Sequence, residues 1–272
     1  MKIGEINRVK ILKISPRETI LEDEKGNKVL LPTKEVPESK TPGEYLDVFA
    51  LSEIEASTKI PPAKINEFAV LKIIRVKPFG AFLEWGSSKD LFVPKSCLSG
   101  KTEVGRLLCV YVLNDIKGEG LIGDSRIRHY FKEDVSELKE GKKASLLVYK
   151  KIDIGFKVVI DNKYDGLIYA NEIYSRVEIG EKYQGFVKKI REDGLIDAAL
   201  QPQGFPESNN MSEEIILNAL KENSGFLPLH DGSDPKLIYD RLGISKKNFK
   251  RALGTLYKKE IVVITAEGVK LT

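Results

Sequence analysis

The stretch VKPFGAFLEWGSSKDLFVP (Val76–Pro94) holds two apolar runs around a Gly-Ser-Ser-Lys-Asp turn and closes on a proline. Side chains in a half-buried strand alternate between core and solvent. Read back from Trp85, one face is Trp85, Leu83 and Ala81, all apolar, and the other is Glu84 and Phe82. A large aromatic therefore shares the side of a glutamate. Phe79 sits just across Gly80, and a glycine inside a strand often marks a bulge that re-aims its neighbours. Phe79 and Phe82 can then face the same way. Such a pair is an accident, a contact with another part of the chain, or a platform for a flat ligand.

The pattern recurs. ISPRETILEDEKGNKVLLP (Ile14–Pro32) also ends in an apolar run and a proline, 62 residues earlier and without a gap. At that offset Val9 meets Leu71, Ile11 meets Ile73, Leu31 meets Val93, Gly43 meets Gly105 and Phe49 meets Tyr111. A third copy lies 75 residues further on: Leu146, Val148, Gly155, Ile168, Gly180 and Phe186 match Leu71, Ile73, Gly80, Val93, Gly105 and Tyr111. The interval from apolar run to glycine is 12 in every copy (31 to 43, 93 to 105, 168 to 180). Internal repetition on this scale is read before anything else.

Each copy reads as short strands rich in Val, Ile, Leu and aromatics, punctuated by Gly and Pro; FAVLKIIRV, AFLEW, LFVP and LLCVYVL show it in the second. Strands of this length in so short a repeat fit a five-stranded OB-type barrel. The expected fold is mainly β: three tandem five-stranded OB-type barrels over residues 1–62, 63–138 and 139–204, then a small α+β winged helix-turn-helix over 205–272. Pro61–Pro62 separates the first two copies, DSRIRHYFKEDVSELKEG leads to the third, and QPQGFPESNN (Gln201–Asn210) reads as a linker.

Beyond that linker the period changes. SEEIILNALKEN (Ser212–Asn223) puts Ile215, Ile216, Ala219 and Leu220 on one helical face, with Ser212 as N-cap. Asp234–Pro235 opens a second helix that stops at Gly243, and Ser245–Lys259 forms a third. IVVITAEGVKLT reads as a hairpin around Glu267–Gly268. In the third helix Phe249, Ala252, Leu253 and Leu256 make the buried stripe. Lys247, Arg251 and Lys258 fall near the opposite face, beside Gly254. Lys250 adds to a segment with six Lys/Arg and no acid from Ser245 to Lys259. Such a run is either a solvated face or the basic face of a nucleic-acid-binding helix.

Composition narrows the classes. The 272 residues are 42% hydrophobic and 31% charged, with a net charge of only +4, so any basic surface must be local. Cys97 and Cys109 lack zinc-ligand spacing, and two thiols in a chain this size suit a reducing compartment. MKIGEINRVK has no apolar signal region, and no apolar run approaches the roughly 18–20 residues of a membrane span. A cytoplasmic protein without membrane contact is expected. GEGLIG (Gly118–Gly123) matches a dinucleotide-binding pattern but lies late in a β repeat, where a hairpin between the last two barrel strands is the better reading. SGKT (Ser99–Thr102) lacks the glycine a phosphate-binding loop needs, since Lys95 occupies its place. His129 and His230 are isolated, and His129 reads as a linker residue. With no nucleophile motif or metal constellation, no enzyme, metal or cofactor is expected.

The three copies resemble the S1 domain, an RNA-binding OB repeat, through KPFGAFLEW and the DLFVPKSCL that follows. Three such copies ahead of SKKNFKRALGTLYKK resemble the conserved virulence factor B family of bacteria over essentially the whole chain. The resemblance implies RNA binding by a cytoplasmic, non-catalytic regulator of gene expression. The S1 surface offers two phenylalanines and a histidine. The second copy has Phe79 and Phe82, with Pro94 at the histidine position. The third has Ile154, Lys157 and Tyr169, and the first has Arg17, Ile20 and Pro32, which makes it degenerate: a spacer or a docking surface. Phe79 and Phe82 are thus expected to stack unpaired bases, with Lys72, Arg75, Lys77, Lys89 and Lys95 neutralising phosphates. Lys157 and Tyr169 would assist, and Lys247, Lys250, Arg251 and Lys258 would make a second contact. The expected partner is single-stranded RNA held by a monomer, with the ribosome or RNA-processing machinery as a further partner. The alternatives are an aromatic pair packed on a neighbouring domain, or a duplex-DNA regulator. The latter would place Lys247, Asn248 and Arg251 in a major groove and use the barrels as a partner-binding arm.

Overall fold

The repeat seen in the sequence is a repeat of strands. The computed structural model describes residues 1–115, 120–173, 176–201 and 207–272, and in the last segment side chains from Ser212 onward. The first copy forms β1 (Ile6–Ile14), β2 (Glu18–Glu22), β3 (Lys28–Pro32), β4 (Tyr45–Ala50) and β5 (Ala56–Ser57). The second forms β6 (Phe68–Lys77), β7 (Gly80–Leu83), β8 (Leu91–Pro94), β9 (Leu107–Asn114) and β10 (Leu121–Asp124). The third forms β11 (Lys143–Ile152), β12 (Gly155–Ile160), β13 (Tyr164–Tyr169), β14 (Lys182–Ile190) and β15 (Ile196–Ala199). The second and third sheets close, in the orders β10-β8-β7-β6-β9 and β11-β12-β13-β15-β14. In each the fifth strand runs parallel to the third, with Ile122 beside Phe92 and Gly166 beside Ile196. The first sheet, β3-β2-β1-β4-β5, is nearly closed: β5 is only two residues long, and the Leu30 N–H donates to the Ile54 carbonyl at 2.8 Å across the gap.

Alternation decides which side chains fill each barrel. Ile11, Leu21, Val29 and Leu31 are buried in the first, Ile73, Leu83, Leu91 and Val93 in the second, and Leu146, Val148, Val158 and Ile168 in the third. Burial of each such side chain contributes about 1.5–3 kcal/mol. The first strand of every copy carries a bulge at one shared position, between Ile11 and Lys13, Ile73 and Arg75, and Val148 and Lys150. A bulge bends its strand and increases its twist, which lets a five-stranded sheet curl. The bulge expected at Gly80 is therefore on the partner strand instead, and Gly80 opens β7 directly after a tight Pro78–Phe79 turn.

The chain divides into two compact units, Met1–Tyr130 and Phe131–Thr272. In the first, Phe49 of β4 joins the second barrel's core and meets Trp85 edge-on, ring centroids 5.6 Å apart. The degenerate first copy thus docks on the second. In the second unit Val135 and Leu138 pack into the third barrel's core, so the segment expected to close the second domain at residue 138 belongs with the third. The hairpin expected at Gly118–Gly123 lies partly outside the described residues; Leu121–Asp124 pair antiparallel with β9.

The tail forms α1 (Glu207–Glu222), β16 (Phe226–Leu227), α2 (Pro235–Leu242), α3 (Lys246–Lys258), β17 (Val262–Ile264) and β18 (Val269–Leu271), the winged-helix order. The Asp234 carboxylate accepts from the Lys236 and Leu237 N–H groups to cap α2, and Gly243 ends it at φ 69°. Ser245 caps α3, and Phe249, Ala252, Leu253 and Leu256 are buried as the stripe requires. Two expectations are corrected. α1 begins at Glu207, so Ser212 is a buried residue within the helix and no cap; the weak helix formers Asn209 and Asn210 had disguised its first turn. The wing sheet has a third strand, β16, in the order β16-β18-β17; two residues are too few to show a period.

Candidate nucleic-acid interface

The bulge in β6 sets Arg75 directly opposite Phe82, and the next strand sets Phe92 opposite Phe82 on its other side. Cross-strand neighbours on one face touch. The result is a row, Arg75–Phe82–Phe92, on the outer face of the second barrel. The Arg75 guanidinium carbon lies 4.3 Å from the Phe82 ring centroid, and Phe82 and Phe92 are 5.1 Å apart at 42°. Phe79, at the hairpin turn, stands over the end of this row, 6.4 Å from Phe82 at 87° and 5.9 Å from Phe92. It is 60% exposed. The two expected rings do share a face, but they form a step, not one plane.

Gly80 makes this cluster possible. A Cβ there would stand 2.6 Å from Phe92 Cε2 and 2.3 Å from the Val93 carbonyl oxygen, so the Phe92 ring lies where any other residue would project. Phe92 was missed from the sequence, although its place between buried Leu91 and Val93 already pointed it outward.

The cations divide. Lys77 and Lys95 are exposed and flank the Phe79 turn; the Lys95 N–H donates to the Phe79 carbonyl at 2.9 Å. Lys72 is exposed further along β6, before the bulge. Arg75 is 3.5 Å from Asp90. Lys89 turns away from the cluster to pair with Glu55 of the first barrel. There it borders a cleft of about 240 Å³ with Arg17, Pro32 and Leu51, so part of the first copy's corresponding face lines a cleft against the second barrel.

The third barrel repeats the backbone and changes the chemistry. Ile154 is exposed where Phe79 stands in the second. The Lys157 ammonium is 2.7 Å from Asp165, whose other oxygen accepts from the Tyr149 hydroxyl at 2.8 Å. The Tyr169 hydroxyl contacts the Arg191 guanidinium, itself 2.8 Å from Asp197. Both groups expected to meet a ligand thus also have polar partners within the barrel.

On α3, Lys247, Lys250, Arg251 and Lys258 are all exposed, with Lys250 3.8 Å from Asp231. Gly254 has open space around it. Asn248 is different: it is 2% exposed, and its Nδ2 donates to the Ile173 carbonyl of the third barrel at 2.8 Å. The Tyr239 hydroxyl donates to the Val177 carbonyl at 3.3 Å, and Lys151 lies 4.2 Å from the Tyr239 ring centroid. The start of α3 is thus docked on the third barrel, and Asn248 is not placed to read a groove.

Asp124, 1% exposed, ties the segment after β10 to the second barrel. It accepts from Arg126 at 2.6 Å and from the Tyr130 hydroxyl at 2.8 Å. Burial alone would raise its pKa, but the bonds from Arg126 and Tyr130 hold it below the usual carboxylate range. Burial and the bond to Asp124 push the Tyr130 phenol up to about 12. Tyr130 also stacks on Tyr111, centroids 4.2 Å apart. His129 lies in this short turn. The His230 Nδ1 accepts from the Gly232 N–H at 3.0 Å, a turn contact. Among the described residues no His, Cys, Asp and Glu group is arranged to hold a metal, and no helix is long and apolar enough to cross a membrane.

Comparison with known proteins places these modules. Residues 3–53 and 67–121 match the S1 domain, and residues 214–271 match the CvfB-like winged helix domain. The chain is 27% identical to the uncharacterised protein YitL of Bacillus subtilis over 241 residues, 85% of this chain and 80% of that protein. It is 22% identical to Conserved virulence factor B of Staphylococcus epidermidis over 283 aligned positions, 99% of this chain and 95% of that protein. A crystallised multidomain protein with nucleic acid binding domains from Streptococcus pneumoniae is 22% identical, with a TM-score of 0.44, covering 99% of this chain and 98% of that one. The chain thus carries S1 domains ahead of a CvfB-like winged helix domain and is similar, along nearly its whole length, to proteins named Conserved virulence factor B.

Proposed function

We propose that the protein is a non-catalytic, cytoplasmic RNA-binding regulator that holds single-stranded RNA on the outer face of the second barrel. S1 and winged-helix domains both point to nucleic-acid binding. The observation that carries the finer reading is Phe79: a ring 60% exposed, between Lys77 and Lys95, beside an aromatic pair. An unpaired base can stack on such a ring, whereas a duplex hides its base faces. Lys72, Lys77 and Lys95 neutralise phosphates, and Lys247, Lys250, Arg251 and Lys258 of the winged helix supply a second basic contact that adds apparent affinity through tethering. The third barrel, with Lys157 and Tyr169 held internally, serves as the winged helix's mount. The protein acts as a monomer on RNA, post-transcriptionally, at the ribosome or with RNA-processing machinery. A duplex-DNA reading loses Asn248, one of its three base-reading residues, to the contact with Ile173.

The test is binding of a fluorescent single-stranded RNA to the full chain and to Phe79→Ala/Phe82→Ala, with duplex DNA as competitor. The double variant is expected to bind about fivefold or more weakly, and duplex DNA to compete poorly. A loss of under about threefold with folding intact, or displacement by duplex DNA at equal concentration, overturns the proposal; each bound is set against stacking worth about 1–3 kcal/mol.

A further inference from the structure

Arg75 reads in the sequence as one more phosphate contact, but its position is of another kind. Its guanidinium sits over the Phe82 ring at 4.3 Å, and a terminal nitrogen reaches Asp90 at 3.5 Å. Phe82 is flanked by Phe92 and met nearly edge-on by Phe79. A base cannot lie on the face of Phe82 that Arg75 covers without displacing it. The guanidinium is itself planar, delocalised and weakly hydrated, and bases stack on such planes as they do on rings. The Arg75 side chain is 53% exposed, so its surface remains open to solvent while Phe82 supports it.

We propose that Arg75, backed by Phe82 and steadied by Asp90, is the surface on which an unpaired base stacks in the second barrel. This rests on the reading of that face as a single-stranded RNA site. Phe79, 6.4 Å from Phe82 and at 87° to it, offers a second surface at a steep angle to that ring, which suits two splayed bases and not one. Asp90 acts as a positioning residue: it holds the guanidinium over the ring.

The experiment compares Arg75→Lys with the wild-type full chain, using fluorescent single-stranded RNA across a salt series. Lysine keeps the charge and loses the plane. Affinity is expected to fall about fivefold or more, with the slope of log affinity against log salt unchanged. Adding Phe82→Ala to Arg75→Lys is expected to cost little more, because Phe82 works through Arg75. Asp90→Asn is expected to weaken binding although it removes a negative charge near RNA, the reverse of a purely electrostatic effect. Arg75→Lys within about twofold of wild type, while Phe79→Ala loses the roughly fivefold that stacking supplies, overturns the inference and leaves the site. If neither substitution matters, the site reading fails and takes the inference with it. Tighter binding by Asp90→Asn overturns the positioning role.

Discussion

Replacement of Asn248 by alanine separates a docked winged helix from a groove-reading one. Asn248 lies in the first turn of α3, is almost wholly buried, and donates to the Ile173 carbonyl at 2.8 Å across 75 residues of sequence. Its loss leaves that carbonyl without this donor in a site that excludes water. A buried polar group stripped of its partner costs about 1–3 kcal/mol, a shift of about 5- to 150-fold in an opening equilibrium. Tyr239, bonded to Val177 and packed beside Phe156, still holds the other half of the contact, so the domain should loosen and not unfold. Hydrogen exchange on the full chain, followed by mass spectrometry, reads this directly. Amides around Ala170–Ile173 and the start of α3 should exchange faster by that factor, while the second barrel, in the other compact unit, is unaffected. Exchange within about twofold of wild type at those amides refutes the reasoning, as does an equal rise in both units. Loss of duplex-DNA binding with unchanged exchange would restore Asn248 to a groove.

Gly80→Ala should destabilise the second barrel by about 1–3 kcal/mol, as overpacking against backbone does, because its Cβ meets the Val93 carbonyl and the Phe92 ring. Gly254→Ala, with open space around it, should instead raise stability by up to about 1 kcal/mol through helix propensity; thermal unfolding that ranks the two the other way contradicts both assignments. Asp124→Asn should cost about 1–3 kcal/mol at pH 7 by weakening charged hydrogen bonds to Arg126 and Tyr130. Because the folded-state pKa of Asp124 is lowered, that contribution is present above the ordinary aspartate pKa of about 3.9 and is lost as pH falls below it. The wild-type advantage in urea unfolding should therefore shrink toward pH 3, and a gap that stays constant would show that charge is not its source.

The barrels were legible because a strand's period and a turn's glycine are local properties, and three copies of one pattern compound a weak signal. The same locality explains the cap at Asp234, which the structure places where the residue type requires. Contacts between copies left no such trace. Nothing in the spacing of Phe49 and Trp85 announces that they meet across two barrels, or that Asn248 closes on Ile173. In the site, Phe79 and Phe82 were found by asking which aromatics break alternation, but the reason offered, a bulge at Gly80, was misplaced. The bulge is in β6, where no glycine marks it, and Gly80 is there to admit Phe92. Nor can charge near a site in sequence show its ion partner: Lys89 pairs with Glu55 and Lys157 with Asp165.

The repeat itself bears on why Phe79 is where it is. At one position in the turn of the first hairpin the three copies carry Arg17, Phe79 and Ile154, and at the next outward position Ile20, Phe82 and Lys157. All three backbones reach the same five-stranded form, with the bulge in the same place. The scaffold therefore does not need an aromatic there to fold. The first copy lines a cleft against its neighbour with Arg17, and the third closes its face with the Lys157–Asp165 pair. At this turn position the second copy leaves a large flat ring mostly in water, forgoing part of the roughly 1.5–3 kcal/mol that full burial of such a side chain contributes. A fold that can do without the ring in two copies gains nothing in stability by exposing it in another. On the function proposed above, what the ring meets is an unpaired base, a flat, apolar-faced partner suited to a surface flanked by Lys77 and Lys95.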